Sequence, residues 1–283
     1  MIDLHVRRSA AELLDATFAV FRQRWYVFLT MTFLVVAPVT TLVDGVWGHL
    51  IRDGADAERS VAQLVVSALV AGVVVPASVT ALHCVVVTAL ADGRKPGLWT
   101  ALRDVAPHLV RALGVVCVYV LAVVAGIVCL IAPGVWIAIR WYFGAQAAVL
   151  EGGNPAVALR RSGDLVDGSW WRVFGLLALI GLLGGTLAVP LDSIQAIHDD
   201  GVTYLVAYVL TTTFTMSLSA IFATLLFFDL ALRHDKPWVP AGHPRPPADG
   251  PEAPTWSGAA PGYAPPGFEP PRPPEPQPSP LGG

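Results

Sequence analysis

Five runs of this chain carry no Asp, Glu, Lys or Arg and are long enough to cross a bilayer: Tyr26 to Val43, Val61 to Ala91, Ala112 to Ile139, Val173 to Leu191 and Val202 to Phe228. A spanning helix needs about 20 apolar residues. Lipid offers the backbone no hydrogen bonds, so runs of this kind must be helical. The third run continues past Arg140 to Leu150, making 39 residues from Ala112 with Ala132-Pro133-Gly134 in its middle. Proline removes a backbone donor and glycine permits a positive φ, so the pair predicts a hairpin turn that divides this run into two spans.

Charge decides between six spans and five. With six spans and a cytoplasmic N-terminus, the inner segments hold thirteen Lys and Arg residues and the outer ones two, Arg52 and Arg59. If the Pro-Gly pair were only a kink, the division would be eight against seven. Basic residues in short loops stay on the cytoplasmic side, so the sequence predicts an all-α polytopic bundle with spans at about 26–46, 61–91, 112–132, 135–150, 170–191 and 202–232. Both termini are then cytoplasmic and the location is the cell (inner) membrane. The opening residues include Asp3, Arg7, Arg8, Glu12 and Asp15 and no apolar core of a signal peptide, so the first span directs insertion.

Short helices are expected on the cytoplasmic face ahead of the outward-going spans. In the first, Leu14, Phe18, Phe21 and Trp25 share one face between Ser9 and Gln23, and Ser9 with Glu12 forms a capping box. A weaker second, Leu98 to Leu109, is interrupted by Pro107. The third starts at Asn154-Pro155, an N-cap followed by proline at the first helical position. Helix plus hairpin thus occurs three times, the pattern of a triplicated unit. Beyond Lys236 the chain holds 17 prolines, no Ile and one Val, which predicts a disordered cytoplasmic tail over 237–283.

Composition excludes several classes. A chain that is 54% hydrophobic and 14% charged lies far from the soluble balance, and its basic residues form no nucleic-acid-binding face. Cys84, Cys117 and Cys129 lie singly in apolar spans, without the spacing of a disulfide framework or zinc site. No catalytic, metal-binding or cofactor motif is present. His198-Asp199-Asp200 reads as a solvated turn. The polar residues that stand out are Arg140, Gln146, Asp229, Arg160 and Arg161. Arg140, a charge inside a span, is expected to snorkel outward or pair with Asp44 or Asp192 near the outer face. Asp229 lies near the inner face with Arg233 in reach at i+4. His83 and Gln146 are expected to make interhelical hydrogen bonds, and Gly181 and Gly185 to give close helix contact. Arg160 and Arg161 sit where anionic headgroups gather.

The segments Ala11-Glu12-Leu13-Leu14-Asp15-Ala16, Ala132-Pro133-Gly134-Val135-Trp136, Ala158-Leu159-Arg160-Arg161-Ser162, Trp171-Arg172-Val173 and Phe228-Asp229-Leu230 resemble the bacterial glycerophosphoryl diester phosphodiesterase membrane-domain proteins. The resemblance covers roughly residues 5 to 236. It implies a membrane domain of undefined biochemical role, and residue usage resembles that of an actinobacterium. The family's phosphodiesterase barrel has no counterpart in these residues, so none of its catalytic metal site carries over. The expectation is a non-enzymatic membrane scaffold or accessory subunit, without cofactor, in contact with the bilayer and an unidentified protein partner. The alternative is a small-solute or lipid permease with a polar path near Arg140, Tyr142 and Gln146.

Overall fold

Helix starts are written into short polar signals, and the computed structural model shows two of them in place. It describes residues 4, 6–42, 69–197 and 201–234, with backbone alone for 187–197, 201 and 204. The Ser9 hydroxyl accepts from the Glu12 amide while the Glu12 carboxylate accepts from the Ser9 amide, so the capping box opens α1, Ala10–Gln23. The Asn154 side chain accepts from the Val157 amide at 2.9 Å, and Pro155 opens a later helix as expected. In chain order α2 is Trp25–Thr40, and a π-helical turn, Val70–Val74, runs into α3, Val75–Ala91. There follow α4 (Leu98–Cys129), α5 (Ile131–Arg140), α6 (Gly144–Leu150), α7 (Pro155–Val166), α8 (Trp170–Ile197) and α9 (Gly201–Arg233). Among the described residues there is no strand. These residues all lie in one compact unit; the proline-rich segment 237–283 lies outside them.

Among the described residues, three helices are long and apolar enough to cross a membrane: Val70–Ala91, Leu98–Cys129 and Leu205–Arg233. The pair Pro155–Val166 and Trp170–Thr186, bent by 99°, adds a fourth if it is one span, and α2 is apolar but only 16 residues long. Their packing differs. The most apolar stretch of α9 is 78% buried and that of α4 only 17%. Ile221, Phe222, Leu225, Leu226 and Leu230 make α9 the centre of the core, whereas Leu121, Val124, Ile127 and Val128 leave an apolar face of α4 uncovered. Exposed apolar surface of this extent marks contact with a partner or with lipid.

The chain does reverse near Pro133-Gly134, but the bend is at Leu130, the one residue between α4 and α5 with extended dihedrals (φ −166°, ψ 140°). Pro133 and Gly134 lie in the first turn of α5, where proline loses no intrahelical bond. The glycine serves a different purpose from the predicted one. A Cβ on Gly134 would stand 2.6 Å from the Ile127 nitrogen, and one on Gly126 would stand 2.8 Å from the Gly134 Cα, so the two glycines let α4 and α5 touch backbone to backbone. Tyr119 ties the same hairpin by donating to the Ala138 carbonyl at 3.2 Å.

Other expectations change. The predicted span over 135–150 is two helices, broken at Trp141 to Phe143. The predicted second surface helix is the first part of continuous α4: Pro107 sits ten residues into it and does not end it. On α1 the buried residues are Leu13, Thr17 and Val20; of the predicted face, Leu14 and Phe21 are half-buried against the core, while Phe18, and Trp25 at the start of α2, are exposed. The helix is rotated from the predicted face because it packs against α9. Within α8, Gly181 and Gly185 meet nothing; Gly184 makes the close contact, 2.6 Å from Thr215 Cγ2 to where its Cβ would be. The helices α2, α3 and α9 are joined by Thr32 to Ser217 at 2.8 Å and Cys84 to Thr224 at 3.5 Å.

Replacing Gly134 by valine forces the hairpin apart. A loss of about 1–3 kcal/mol is expected, the usual range for overpacking, read as a lower thermal midpoint in detergent. The Glu12 carboxyl is held below its ordinary pKa, mainly by the Ser9 backbone amide. Its contribution is therefore complete above the unfolded carboxylate pKa and fades as pH falls through the lowered folded value. The protection of the first amides of α1, taken relative to the intrinsic exchange rate at each pH, should fall on acidification, and Glu12→Gln should remove that dependence.

Candidate functional site

The last turn of α9 carries Asp229 and Arg233 one turn apart, so their side chains meet on one face, with Arg233 Nε donating to Asp229 Oδ2 at 2.8 Å. The carboxylate is wholly buried. Two further donors complete it: Arg172 Nη1, from the first turn of α8, reaches Oδ2 at 2.7 Å, and the Arg8 amide reaches Oδ1 at 2.7 Å. The Arg8 carbonyl in turn accepts from Arg172 Nη2 at 2.9 Å and Arg233 Nη2 at 2.6 Å. Arg7 Nη2 donates to the Leu232 carbonyl at 3.0 Å, one of the carbonyls a helix end leaves without an internal partner. The segment ahead of α1 is thus strapped across the start of α8 and the end of α9. Sequence spacing gave Arg233 but not Arg172 or Arg8. Hairpin packing held the signal, since α8 and α9 lie against each other with the start of one beside the end of the next.

Arg140 lies at this same end. Its Nη1 is 3.7 Å from Asp167 Oδ1, and its guanidinium sits 5.1 Å above the Trp136 ring, one turn back. Asp167 is followed by Gly168 and Ser169, and Ser169 Oγ is 3.0 Å from His234 Nε2, just beyond Arg233. The expected separation of Arg140 and Asp229 onto opposite faces does not hold. The reason is length: α5 has only ten residues, about 15 Å of rise, before the chain turns. The other expected partners lie outside what is described, Asp44 wholly and Asp192 as a side chain. Gly163 makes room for the arginine, whose Nε is 3.2 Å from where a Cβ would stand.

The break after Arg140 is closed by Ser162 of α7. Its hydroxyl donates to the Arg140 carbonyl at 2.9 Å and accepts from the Phe143 amide at 3.0 Å, satisfying backbone groups that the interrupted helix leaves open. On the far side of α6 the chain turns through Gly152 and Gly153 at φ +75° and +93°, a conformation that favours glycine. Glu151 and Arg161 pair across this turn at 2.8 and 2.9 Å, both side chains buried. Arg161 is therefore engaged inside the protein and not presented to headgroups. Arg160 is exposed and lines a crevice with Arg140, Trp141, Asn154 and Asp164.

Gln146 is different. Every residue of α6 is buried, and Gln146 is 3% exposed, yet its Oε1 has no hydrogen-bond partner. It lines a cavity of about 260 Å³ between α3, α4, α6 and α9, together with Tyr119 and Tyr142. The predicted interhelical bond is absent; Tyr142 and Gln146 line this cavity, Arg140 lines the other crevice, and Trp141 lines both. His83 also departs from expectation: Nδ1 bonds the Val79 carbonyl of its own helix at 2.7 Å, and the ring stacks on Phe28. Among the described residues no group of three or more His, Cys, Asp or Glu side chains could hold a metal; the His198-Asp199-Asp200 turn lies outside them.

No family model, no curated protein and no solved structure matches this chain.

The two charged groupings should respond unequally to neutral substitution. Asp229→Asn leaves Arg172 and Arg233 facing an uncharged group. It should cost about 3 kcal/mol, the lower end for a broken buried pair because both arginines are about a third exposed. Arg140→Gln removes a pair whose acid is 74% exposed and should cost less than about 1 kcal/mol. Thermal unfolding of both variants in one detergent checks the order.

Proposed function

We propose that the chain is a multi-pass protein of the bacterial cell membrane that acts as a non-enzymatic scaffold or accessory subunit. In this reading the protein has six spans, cytoplasmic termini and the membrane-domain fold that its short motifs resemble. The observation that carries the reading is the Asp229 grouping. An acid that relays protons or holds a substrate needs an oxygen open to exchange, whereas the Asp229 carboxylate is buried and takes three donors from three segments. Its role is that of a clasp. The uncovered apolar face of α4 faces lipid, and the basic residues gathered near the clasp meet the anionic inner leaflet. The partner is a protein at the cytoplasmic face, met by the surface around α1 and by the proline-rich tail. Phe18, exposed on α1, and Trp25, exposed at the start of α2, add an aromatic surface there.

Sidedness is tested with cysteines in a background lacking Cys84, Cys117 and Cys129. Asp164→Cys, at an exposed position on α7, should stay unlabelled by an impermeant thiol reagent in intact spheroplasts and react after permeabilisation. Arg52→Cys should react in both. Labelling of position 164 in intact cells would remove the six-span reading and its cytoplasmic contact surfaces. For the partner, crosslinking in cells with and without residues 237–283 separates the tail from the helical surface: an unchanged set of crosslinked proteins removes the tail from the contact.

A further inference from the structure

The cavity beside Gln146 has features that a packing defect lacks. Its wall is mainly apolar, from Val79, Val115 and Ala220 among others. Into it projects one amide that is 97% buried and whose oxygen has no partner. Burying an amide without a hydrogen bond is unfavourable, and leucine of nearly the same shape would avoid that cost. A helix of seven residues, all buried, holds the amide in place. At the mouth, Gly72 lies on the π-helical turn ahead of α3, and nothing stands within 4 Å of where its Cβ would be. π-Helical turns of this kind recur at functional sites, where they displace a helix face from regular packing. From the mouth, the lining passes from half-buried Gly72, Pro76 and Tyr119 to buried Gln146.

The lining also restricts the occupant. It contains no Asp, Glu, Lys, Arg or His, so a charged molecule would be desolvated without a counter-ion, and such burial is costly. A carboxamide offers one acceptor and two donors, the complement of a hydroxyl or another primary amide. A molecule bonded to it leaves its apolar part against the valines and alanines. We propose that the cavity between α3, α4, α6 and α9 is a binding site for an uncharged, chain-bearing molecule that presents a hydroxyl or primary amide to Gln146. It goes beyond the scaffold reading and does not depend on sidedness: the clasp and this cavity are separate, and the scaffold can be correct with the cavity empty.

The test uses the full chain in nanodiscs of phosphatidylethanolamine and phosphatidylglycerol. The probe is a medium-chain aliphatic alcohol bearing a diazirine, compared with the carboxylate of equal length, and crosslinks are mapped by peptide mass spectrometry. Saturable labelling by the alcohol is expected on α3, α4 or α6 at the cavity, at least about tenfold stronger than by the carboxylate. Gln146→Leu should weaken the alcohol by about tenfold, the size of one buried hydrogen bond, while its thermal midpoint stays at or above that of the native protein. Gly72→Leu, whose Cβ would stand in open space, should narrow the mouth and reduce labelling as well. Labelling spread evenly over the lipid-facing surface would overturn the assignment. So would alcohol affinity unchanged by Gln146→Leu in a folded variant, or equal labelling by the carboxylate. An effect of Gly72→Leu alone marks an apolar void, which also overturns it.

Discussion

A carboxylate removed from solvent has to be held on every side, and at Asp229 that requirement selects which parts of the chain meet. Its oxygens take donors from α8, from α9 and from the peptide ahead of α1. Of these donors only Arg233 is near Asp229 in sequence. Arg8 is bound through both its N–H and its C=O, so this stretch of backbone cannot be exchanged for water without undoing two arginine contacts. With the strap fixed, α1 begins at Ser9 in a position that lays Leu13, Thr17 and Val20 against α9. The orientation of α1, which its own amphipathic pattern leaves ambiguous, is thus set from outside the helix.

The rest of the interior follows the same rule at lower charge. Where helices are interrupted, a side chain from elsewhere supplies the missing bonds: Ser162 at the α5–α6 break is the clearest case. Where helices approach closely, glycine or a short hydroxyl stands at the contact, as with Gly126 and Gly134, Gly184 beside Thr215, and Thr32 with Ser217. Between apolar helices in an apolar solvent, hydrophobic burial gives little direction, and small residues and polar pairs decide the match. This explains why α4 can be strongly apolar and still mostly uncovered, while α9, of similar length, is enclosed.

What the sequence made legible was local or topological. Ser9, Glu12, Asn154 and Pro155 announce helix starts through bonds within four residues, and those were readable. The reversal near Pro133-Gly134 was readable too, displaced by a few residues because proline and glycine both suit a first helical turn. The Asp229 to Arg233 pair followed from helical spacing alone. Depth and face were harder. Phe18 and Trp25 fitted an amphipathic stripe, but α1 has a second set, Leu13, Thr17 and Val20, and the neighbour chose that one. Pro107 looked like a break, although an exposed proline can be absorbed by a long helix packed on its partners. Arg140 was assigned to the outer face because its distance from a turn was counted as depth in a full span. The helix is too short for that, and its partner, Asp167, comes from the bend between α7 and α8, which charge spacing does not reveal.

Two kinds of buried polar group therefore coexist, and their difference is one of exchange. At Asp229, and at Glu151 with Arg161, every bond is intramolecular, and changing a partner means breaking a charged contact in a low-dielectric interior. Such groups fix shape. At Gln146 the oxygen has nothing to give up, so a ligand meets no competitor for it. The cavity includes Ala223 of α9 and the clasp Asp229 on the same helix, six residues or about 9 Å of rise further on. A rigid helix between them means that a molecule seated beside Gln146 bears on the helix that anchors the strap. Because α9 is the most enclosed of the apolar helices, a displacement there cannot be absorbed by lipid; it has to pass to α1, α2, α3, α7 or α8, the elements packed against it.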